Sequence, residues 1–320
     1  MILKRDNTNI EKLLNFPFCA PQEFIARIKN GDLNDPLLRQ ILPSEDELKN
    51  IAGFSCDPLN EKSAEKAPHL LHKYYGRILL LVTNHCVINC RFCFRRTSFL
   101  KDSRSDHNFD EAFKYILNNK TISEVILSGG DPLILPPEKL LSLFEKLAAI
   151  PHVKRVRIHS RIPIVMPSKI TDDLIKAITA TRFSPILVVH CNHANEIDEH
   201  IKDAIGRLRA AKINVLNQSV LLHGVNDSVD ALVALSEKLT EIGIIPYYLH
   251  LLDKVSGTTH FTVPINAAKL IHSKLQELLP GYLVPKLVYE KAGAKSKIAF
   301  SWVFDESIRS YQNIFLLTLF

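Results

Sequence analysis

The chain has 320 residues, of which 46% are hydrophobic and 23% charged, as expected of a globular protein that can bury a full core. Its 40 basic and 34 acidic residues give a net charge of +6 that is spread along the chain, so no block for binding nucleic acid is indicated. No apolar run suits a signal peptide or a spanning helix, and the cysteines do not form a disulfide framework, so the sequence predicts a cytoplasmic protein that binds neither membrane nor nucleic acid.

Three zones follow one another along the chain. Residues 1–72 contain short runs of helical period broken by Pro, Gly and Asn, which predicts a helical extension. In the zone 73–300, aliphatic and β-branched runs alternate with amphipathic stretches, which predicts one core of strands and helices. The predicted strands are 78–83, 124–129, 155–160, 185–190, 214–222 and 246–252, and the helices that follow them are 109–119, 138–150, 171–182, 196–212, 228–243 and 266–279. Residues 301–320 are interpreted as a C-terminal tail.

Six β–α units in succession predict a parallel sheet, because each helix returns the chain to the same edge. Periodicity leaves two architectures open, an open doubly wound sheet and a partial barrel. In both, ligands bind where the strands end. Polar and ligand-type residues do follow each predicted strand, in the segments 84–96, 128–133, 159–161, 190–193, 223–227 and 252–260. The sequence therefore predicts a functional site at that edge of the sheet.

The segment after the first strand, NHCVINCRFCFRR, holds Cys86, Cys90 and Cys93. Three soft thiolates from one loop suit an iron–sulfur cluster or a zinc ion. A structural zinc site needs a fourth ligand, for which Cys191 is a candidate and His85 is badly placed. A cube of four irons held by three thiolates would instead leave one iron open to a small molecule. Both kinds of site remain open at this point.

The segment after the second strand, SGGDP, contains two adjacent glycines. Gly129 and Gly130 allow the backbone to approach a ligand closely, and exposed amides there are predicted to hold a carboxylate. Asp131 either caps the next segment or faces an ammonium group. A turn of this kind is common by itself, and its position beside the cysteine loop gives it weight.

The Cys-x3-Cys-x2-Cys spacing after a first strand, followed by SGGDP, resembles the radical S-adenosylmethionine (radical SAM) enzymes. The resemblance implies an α/β fold, a partial (β/α)6 radical SAM barrel with an N-terminal helical extension. It also implies a [4Fe-4S] cluster on Cys86, Cys90 and Cys93, with S-adenosyl-L-methionine as the ligand of the fourth iron. The residues that the resemblance assigns to binding this cofactor are Ser128, Gly129, Gly130, Asp131, His190 and Gln218.

Longer segments are similar to the lysine 2,3-aminomutase family. They include HKYYGRILLL (72–81), NQSVLLHGVND (217–227), LLDKVSGTTHF (251–261) and GYLVPKLVYEKAGAKSK (281–297), within a similarity that covers roughly residues 68–300. The resemblance implies an isomerase that moves the amino group of L-lysine from Cα to Cβ. The segments HKYYGR, GYLVPKLVYE and DPLLRQILP (35–43) also resemble the short bacterial members that form (R)-β-lysine for elongation factor P, which implies that the product passes to the elongation factor P ligase system.

The same resemblance implies a second cofactor, pyridoxal 5'-phosphate, which the family carries on a lysine late in the chain. Lys297 matches that position, and Lys295 is the alternative because the run AGAKS is poorer in glycine than in the family. Lys73 and Arg77 match basic residues that hold the phosphate. Tyr74 matches a tyrosine that lines the pyridine ring.

The resemblance also implies how the substrate is held. Arg95 is expected to grip the α-carboxylate with its planar fork, and Arg96 is expected to point elsewhere. Asp253 and Glu290 match the two acids that hold the ε-ammonium group of lysine. The family often has aspartate at the position of Glu290, and glutamate keeps the charge on a longer arm.

No cysteine follows Cys191, whereas longer aminomutases carry a cysteine-bearing extension that binds zinc and supports assembly. We therefore predict no structural zinc and, for any homo-oligomer, weaker or different association. Two other functions stay open. One is an aminomutase that acts on another amino acid or makes a free β-amino acid, and the other is an RNA-modifying iron–sulfur protein, which would leave Lys297 and the pair Asp253 and Glu290 unexplained.

Overall fold

The structure is a computed structural model and describes residues 16–97 and 108–300, so the predicted tail 301–320 lies outside the described residues. Ten strands form one sheet in which spatial order follows chain order. They are β1 Glu65–Ala67, β2 Leu70–Tyr74, β3 Arg77–Thr83, β4 Glu124–Gly129, β5 Arg155–Ser160, β6 Ile186–Val189, β7 Asn214–Val220, β8 Ile245–His250, β9 Lys286–Tyr289 and β10 Ile298–Ala299.

The α-helices connect these strands or precede them. They are α1 Gln22–Ile25, α2 Pro36–Arg39, α3 Glu61–Ala64, α4 Asp110–Asn118, α5 Pro137–Ala148, α6 Ile162–Val165, α7 Asp172–Thr179, α8 Glu199–Ala210, α9 Val229–Glu241 and α10 Ile265–Leu278. Single 3-10 turns lie at Glu45–Leu48, Pro132–Ile134, Pro167–Lys169, Ala194–Glu196, Thr259–Phe261 and Gly281–Leu283. Within residues 16–97 and 108–300, no helix has the length and apolar character needed to cross a bilayer.

The strand order decides between the two predicted architectures. From β3 to β9 every neighbouring pair is parallel, and each strand pairs with the next one along the chain. A doubly wound sheet reverses its order at a switch point, and this sheet does not. All strand–helix–strand connections between neighbouring parallel strands have the same handedness. The helices therefore lie on one face of the sheet, and the sheet curls. Because β1 and β10 are edges, the curl stays open, and the predicted partial barrel with six β–α units is confirmed.

Two parts of the sheet differ from the sequence prediction. A seventh parallel strand, β9, pairs with β8 and was not predicted. The predicted boundary between residues 72 and 73 falls inside β2, so the end of the predicted helical extension contains β1 and the first part of β2. The physical reason is the turn at Gly76, whose φ of 71° folds β2 back antiparallel onto β3.

Helix α7 shows how the outer layer is fixed. Thr171 caps it, since its hydroxyl accepts a hydrogen bond from the Leu174 amide. Its apolar residues Leu174, Ala177 and Ile178 are buried. Under the helices, β4 is buried along its whole length, as expected for a strand covered on both faces. The core therefore lies between sheet and helices, and the strand ends are left to carry polar side chains.

Candidate active site

One cavity of about 370 Å³ is lined by the inner face of the sheet and by the carboxyl ends of its strands. Every residue predicted to bind metal, cofactor or substrate lines it. They are Lys73, Tyr74, Arg77, Cys86, Cys90, Cys93, Arg95, Ser128, Gly129, Gly130, Asp131, His190, Gln218, Asp253, Glu290 and Lys297. The alternative lysine, Lys295, is exposed and is not among the lining residues. The geometry thus favours Lys297.

The cysteine loop is held against the N-terminal segment. The amide of Asn89 donates to the carbonyl of Cys19, and the amide of Arg91 donates to that of Gln40, each at 2.8 Å. Burial raises the pKa of the Cys93 thiol to about 11, and the nearby Cys90 adds to this shift. Buried thiols that resist ionisation become good ligands when a metal supplies the compensating positive charge.

The donor set suits a cluster better than a single ion. Among the described residues, no three His, Cys, Asp or Glu side chains converge as a site for one metal ion would require. A four-iron cluster instead takes each thiolate on a different iron. Cys191, the candidate fourth zinc ligand, is fully buried and lies outside the lining of the cavity. Three thiols that face one cavity therefore fit the [4Fe-4S] prediction.

The glycine turn is shaped by packing inside the protein. A Cβ added to Gly129, whose φ is 113°, would lie 2.2 Å from the carbonyl oxygen of Thr83, and one added to Gly130 would lie 2.1 Å from that of His85. The amides of Gly130 and Asp131 donate to those same two carbonyl groups. The sequence predicted that amides of this turn hold a ligand carboxylate. For the amides of Gly130 and Asp131 this prediction is wrong, because both are already hydrogen-bonded within the protein. The glycines let the turn pack tightly on the backbone at the end of β3.

Asp131 takes the capping role that the sequence left open. Its carboxylate accepts hydrogen bonds from the Ser160 hydroxyl at 2.6 Å and from the amides of Arg161, Ile162 and Leu133 at 2.7, 3.1 and 3.1 Å. Burial raises the pKa of Asp131, and these hydrogen bonds oppose part of the shift. The residue ties the turn after β4 to the end of β5, and so fixes two walls of the cavity together.

Two buried histidines offer unpaired nitrogen atoms in the cavity wall. Nε2 of His159 and Nε2 of His190 are buried and have no hydrogen-bond partner among the described residues. Burial, followed by the charge of Arg161, lowers the pKa of His190 to about 3, so its ring is neutral. Because buried polar atoms are almost always paired, the two atoms indicate room for a polar ligand. Sequence reasoning named His190 and missed His159, although the segment HSR lay at a predicted strand end.

A chain of alternating charges crosses the site. Arg95 donates from Nε and Nη2 to the two carboxylate oxygens of Glu61, both at 2.8 Å. Lys73 lies 3.5 Å from Glu61 and 3.2 Å from Glu290. Glu290 in turn accepts a hydrogen bond from Lys297. The predicted substrate and cofactor residues are thus linked in one electrostatic unit.

The charge of Glu290 is secured by its partners. Burial alone would raise the pKa of Glu290, but Lys297 and Lys73 outweigh it and hold the pKa well below the ordinary value. The Tyr74 hydroxyl also donates to Glu290, at 3.2 Å. Burial and the charge of Glu290 raise the pKa of Tyr74, so this phenol stays protonated. Glu290 is therefore ionised throughout the neutral range.

The surroundings of Lys297 suit a phosphorylated aromatic cofactor. The Lys297 amine lies 5.8 Å from the centre of the Tyr248 ring, and the Arg77 guanidinium lies 5.4 Å from that of Tyr74. A primary amine, two further cations at Arg77 and Lys73, and aromatic rings line the same cavity. This set fits an aldehyde cofactor with a phosphate group.

Asp253 differs from the other acids in the cavity. No hydrogen bond or ion pair joins its side chain to any of the residues that the structure describes. Burial, followed by the charge of Glu290, raises the pKa of Asp253 to about 7. A cation bound in the cavity would relieve both effects. In the predicted ammonium site Glu290 is therefore ionised at neutral pH, whereas Asp253 is partly protonated.

The two consecutive arginines have separate tasks, as predicted. Arg95 faces the cavity, whereas Arg96 donates to Glu47 and to the carbonyl oxygens of Arg91 and Gly257. Arg96 therefore holds the loop in place.

Glu61 was missed by sequence reasoning, and it yields a first prediction. Glu61 accepts from Nε and Nη2 of Arg95, and Nη1 donates to Ser128 Oγ at 3.1 Å, so Glu61 fixes the orientation in which the guanidinium faces the cavity. In Glu61→Gln the charge-assisted pair is lost, and we expect the KM for the amino-acid substrate to rise about tenfold with a smaller fall in kcat. Steady-state kinetics measure this. The exposed Glu65→Gln is the control, and an unchanged KM would contradict the prediction.

A parallel partial barrel whose first loop presents three cysteines to a cavity beside a glycine turn defines a radical SAM protein, and residues 80–235 match the Radical SAM superfamily. The chain is 46% identical to the L-lysine 2,3-aminomutase of Escherichia coli K12, over 88% of this chain and 82% of that protein. It is 44% identical to the L-lysine 2,3-aminomutase of Haemophilus influenzae, over 89% of this chain and 85% of that protein. The chain therefore belongs to the lysine 2,3-aminomutase family, whose enzymes are isomerases.

Among solved structures, the S-adenosylmethionine-bound SuiB of Streptococcus suis matches with a TM-score of 0.48 and 11% identity, over 68% of this chain and 51% of that one.

The cofactors of the family are a [4Fe-4S] cluster, S-adenosyl-L-methionine and pyridoxal 5'-phosphate. Each has a fitting set of residues in the cavity, namely the three thiols, the glycine turn with the histidine nitrogens, and the amine with its cations.

Proposed function

We propose that this protein is a 2,3-aminomutase that converts L-α-lysine to (R)-β-lysine. The observation that carries the proposal is the single cavity in which three cysteine thiols, the Lys297 amine, the Arg95 guanidinium and the unpaired Asp253 carboxyl meet. An amino acid with a second ammonium group matches these charges. It offers a carboxylate to Arg95 and a cation to Asp253.

Taking a hydrogen from Cβ of lysine is beyond the strength of any side-chain base. When bound, the cluster with S-adenosylmethionine supplies a carbon-centred radical, and pyridoxal phosphate holds the migrating amino group. The residues of this chain bind and orient these groups. Cys86, Cys90 and Cys93 would hold the cluster. The turn 128–131, with His190 and Gln218, would contact S-adenosylmethionine.

The pyridoxal phosphate would be held by residues of β2 and β3, which precede the cysteine loop, and by Lys297 near the end of the described chain. Lys297 would bind it covalently, Lys73 and Arg77 would neutralise its phosphate, and Tyr74 would lie beside its ring. The substrate amine would replace the Lys297 amine on the cofactor, so the bond to Lys297 would hold only while no substrate is bound, and the released amine could again donate to Glu290.

The charged ends of the site would select the substrate. Arg95 would orient the α-carboxylate by parallel hydrogen bonds. Asp253 and Glu290 would hold the ε-ammonium, and an ion pair at about 4 Å near a protein surface is worth roughly 4 kcal/mol before desolvation. Even half of that value for one contact separates lysine from an amino acid of equal length with an uncharged end by more than about tenfold.

The destination of the product is also part of the proposal. The similarity to the short bacterial members of the family supports delivery of (R)-β-lysine to the ligase system that modifies elongation factor P. All six cysteines are free, as in a compartment that keeps thiols reduced, which supports action in the cytoplasm. Mass spectrometry of elongation factor P from cells with and without this protein tests the step, because loss of a β-lysyl adduct is the expected result.

The central experiment is an anaerobic assay of reconstituted protein with L-lysine, S-adenosylmethionine, pyridoxal phosphate and a strong reductant, with β-lysine resolved by chiral mass spectrometry. We expect (R)-β-lysine from the wild type and none from Cys90→Ala, because two thiols do not hold the cluster in an active form. Cys56→Ala is the matched control, since Cys56 is exposed and lies outside the cavity. Deoxyadenosine without β-lysine would mean a different substrate, and no turnover with a complete cluster would refute the aminomutase proposal.

A further inference from the structure

Arg161, in the segment that follows β5, touches one of the three cysteines. Its Nη1 donates to Sγ of Cys90 at 2.7 Å. Its Nη2 donates to Oε2 of Glu196 at 2.9 Å and to Oε1 of Gln40 at 2.6 Å. The Arg161 side chain is 6% exposed, so water does not compete for these contacts. A buried guanidinium thus bridges a sulfur atom and a carboxylate.

The surroundings keep this guanidinium in place. The rings of Phe24 and Phe92 lie 5.4 and 5.6 Å from its central carbon. Glu196 is fully buried and also accepts hydrogen bonds from the Asn192 amide at 2.8 Å and from the Gln40 side chain at 3.1 Å. The carboxylate therefore has a full set of donors. If the Arg161 guanidinium turned away, Glu196 would be a buried carboxylate with neutral donors only, which is costly.

We propose that Arg161 is a positioning residue that raises the reduction potential of the iron–sulfur cluster by donating to the Cys90 sulfur. This inference rests on the proposed function, in which Cys90 is a cluster ligand. A reduced cluster carries one more negative charge than an oxidised one, and hydrogen bonds to the ligand sulfurs stabilise that form. A full positive charge in a dry site strengthens the effect.

Part of the N-terminal segment holds Arg161 in place. Gln40 follows helix α2, and Phe24 belongs to α1, so elements outside the barrel orient Arg161. Both residues lie in the segment that the sequence assigned only to a helical extension. The segment would thus act on the cluster through Arg161 and not through direct contact with the substrate.

The test measures the cluster potential and not only activity. Full-length protein is reconstituted with iron and sulfide, its iron content is determined, and the reduced cluster is followed by EPR in an anaerobic redox titration. The main variant is Arg161→Met combined with Glu196→Gln, which removes the guanidinium without leaving a buried charge unpaired. At the potential where the wild-type cluster is half reduced, we expect the reduced fraction to be at least about threefold lower in this variant.

Arg27→Met is the matched control. Arg27 also lies against Glu196 and stacks on Phe24, but its Nη atoms donate to the backbone carbonyls of Glu196 and Ile164 and not to sulfur. Arg27→Met removes one positive charge near Glu196, whereas the main variant removes a positive and a negative charge together, and we expect a much smaller change of potential in Arg27→Met. An unshifted potential in the main variant, or an equal shift in Arg27→Met, would overturn the inference.

A third variant, Arg161→Lys, keeps the inference testable if the main variant does not fold. Arg161→Lys keeps a cation but loses the fork, and we expect a negative shift smaller than that of the main variant. An unchanged potential in Arg161→Lys, when the main variant does not fold, would overturn the inference. A wild-type protein that assembles no four-iron cluster would instead overturn the proposed function, and iron content separates the two failures.

Discussion

Lys297→Ala and Lys297→Arg are both expected to abolish formation of β-lysine, by roughly 10³-fold or more, because neither side chain has a primary amine that can bind an aldehyde cofactor. Alanine also removes the cation that donates to Glu290, whereas arginine keeps a cation there. Loss of activity in both variants therefore points to the amine and not to the charge. Product assays give the rates. Borohydride trapping followed by peptide mass spectrometry shows whether the cofactor is attached at residue 297.

Lys295→Ala is the matched control for this prediction. Lys295 is exposed, lies two residues away and does not line the cavity. We expect its activity to stay within about twofold of wild type, as for other exposed substitutions away from a site. Trapped cofactor in Lys297→Ala together with its loss from Lys295→Ala would transfer the role to Lys295. Circular dichroism of each variant excludes a general loss of folding.

The strands that carry the site could be predicted because they are continuous apolar runs bounded by polar residues. The segments 124–129 and 155–160 coincide with β4 and β5. Strand β9 has four residues, like the predicted β6, but its sequence KLVY contains only two consecutive aliphatic residues, whereas β6 is the continuous aliphatic run ILVV. Strand order is a property of pairing and not of periodicity. For this reason the sequence left the barrel and the doubly wound sheet open.

The candidate site could be assembled from the sequence to the extent that it lies at strand ends. The rule that parallel strands end at one edge brought together Cys90, Asp131, His190 and Asp253 before their contacts were known. Glu61 and Gln40 escaped because they belong to short helices and turns of the N-terminal segment. Such segments have no periodic pattern that aims a side chain. Their partners are set by long-range packing alone.

The electrostatics of the site were the least accessible from the sequence. Asp253 and Glu290 are both carboxylic acids, and nothing in the residue pattern distinguishes their protonation states. In the structure Glu290 lies between Lys297 and Lys73, whereas Asp253 has no partner among the described residues. Opposite shifts of pKa follow, downward for Glu290 and upward for Asp253. Burial and distance decide this, and neither is encoded by residue type.

This difference leads to a prediction for the pH dependence of catalysis. Since burial and the charge of Glu290 raise the pKa of Asp253 to about 7, its carboxyl is neutral in the free enzyme below that pH. The ε-ammonium of lysine stays charged to about pH 10, so only Asp253 changes state in the neutral range. We expect kcat/KM for lysine to rise about tenfold per unit up to about pH 7 and then to level off. Steady-state kinetics between pH 5.5 and 8.5, on the order of one point per half unit, measure this.

Asp253→Asn should remove that dependence. At pH 8, about one unit above the pKa of Asp253, we expect kcat/KM to fall by roughly 10²-fold, because a buried ammonium would lose its charged partner. Glu290→Gln is the comparison variant. It also weakens binding of lysine, but it removes a charge that raises the pKa of Asp253, so the rising limb should remain and move to lower pH. A limb near pH 7 that persists in Asp253→Asn would assign it to another group.

The same shift predicts the stability of the variant. A carboxyl whose pKa is raised in the folded state favours folding in its protonated form, and that contribution is lost as the pH rises from its ordinary pKa of 3.8 to about 7. Asp253→Asn has no proton to lose. Its advantage over wild type in the free energy of unfolding should therefore grow by roughly 1–2 kcal/mol between about pH 5 and pH 8, after a discount for water in the cavity. Urea unfolding of the cofactor-free proteins at both pH values measures this. If Asp253→Asn is more stable than wild type at pH 8 but loses lysine turnover, the enzyme keeps a destabilising acid because the substrate needs it. If the two proteins differ in free energy of unfolding by the same amount at both pH values, the raised pKa of Asp253 is contradicted.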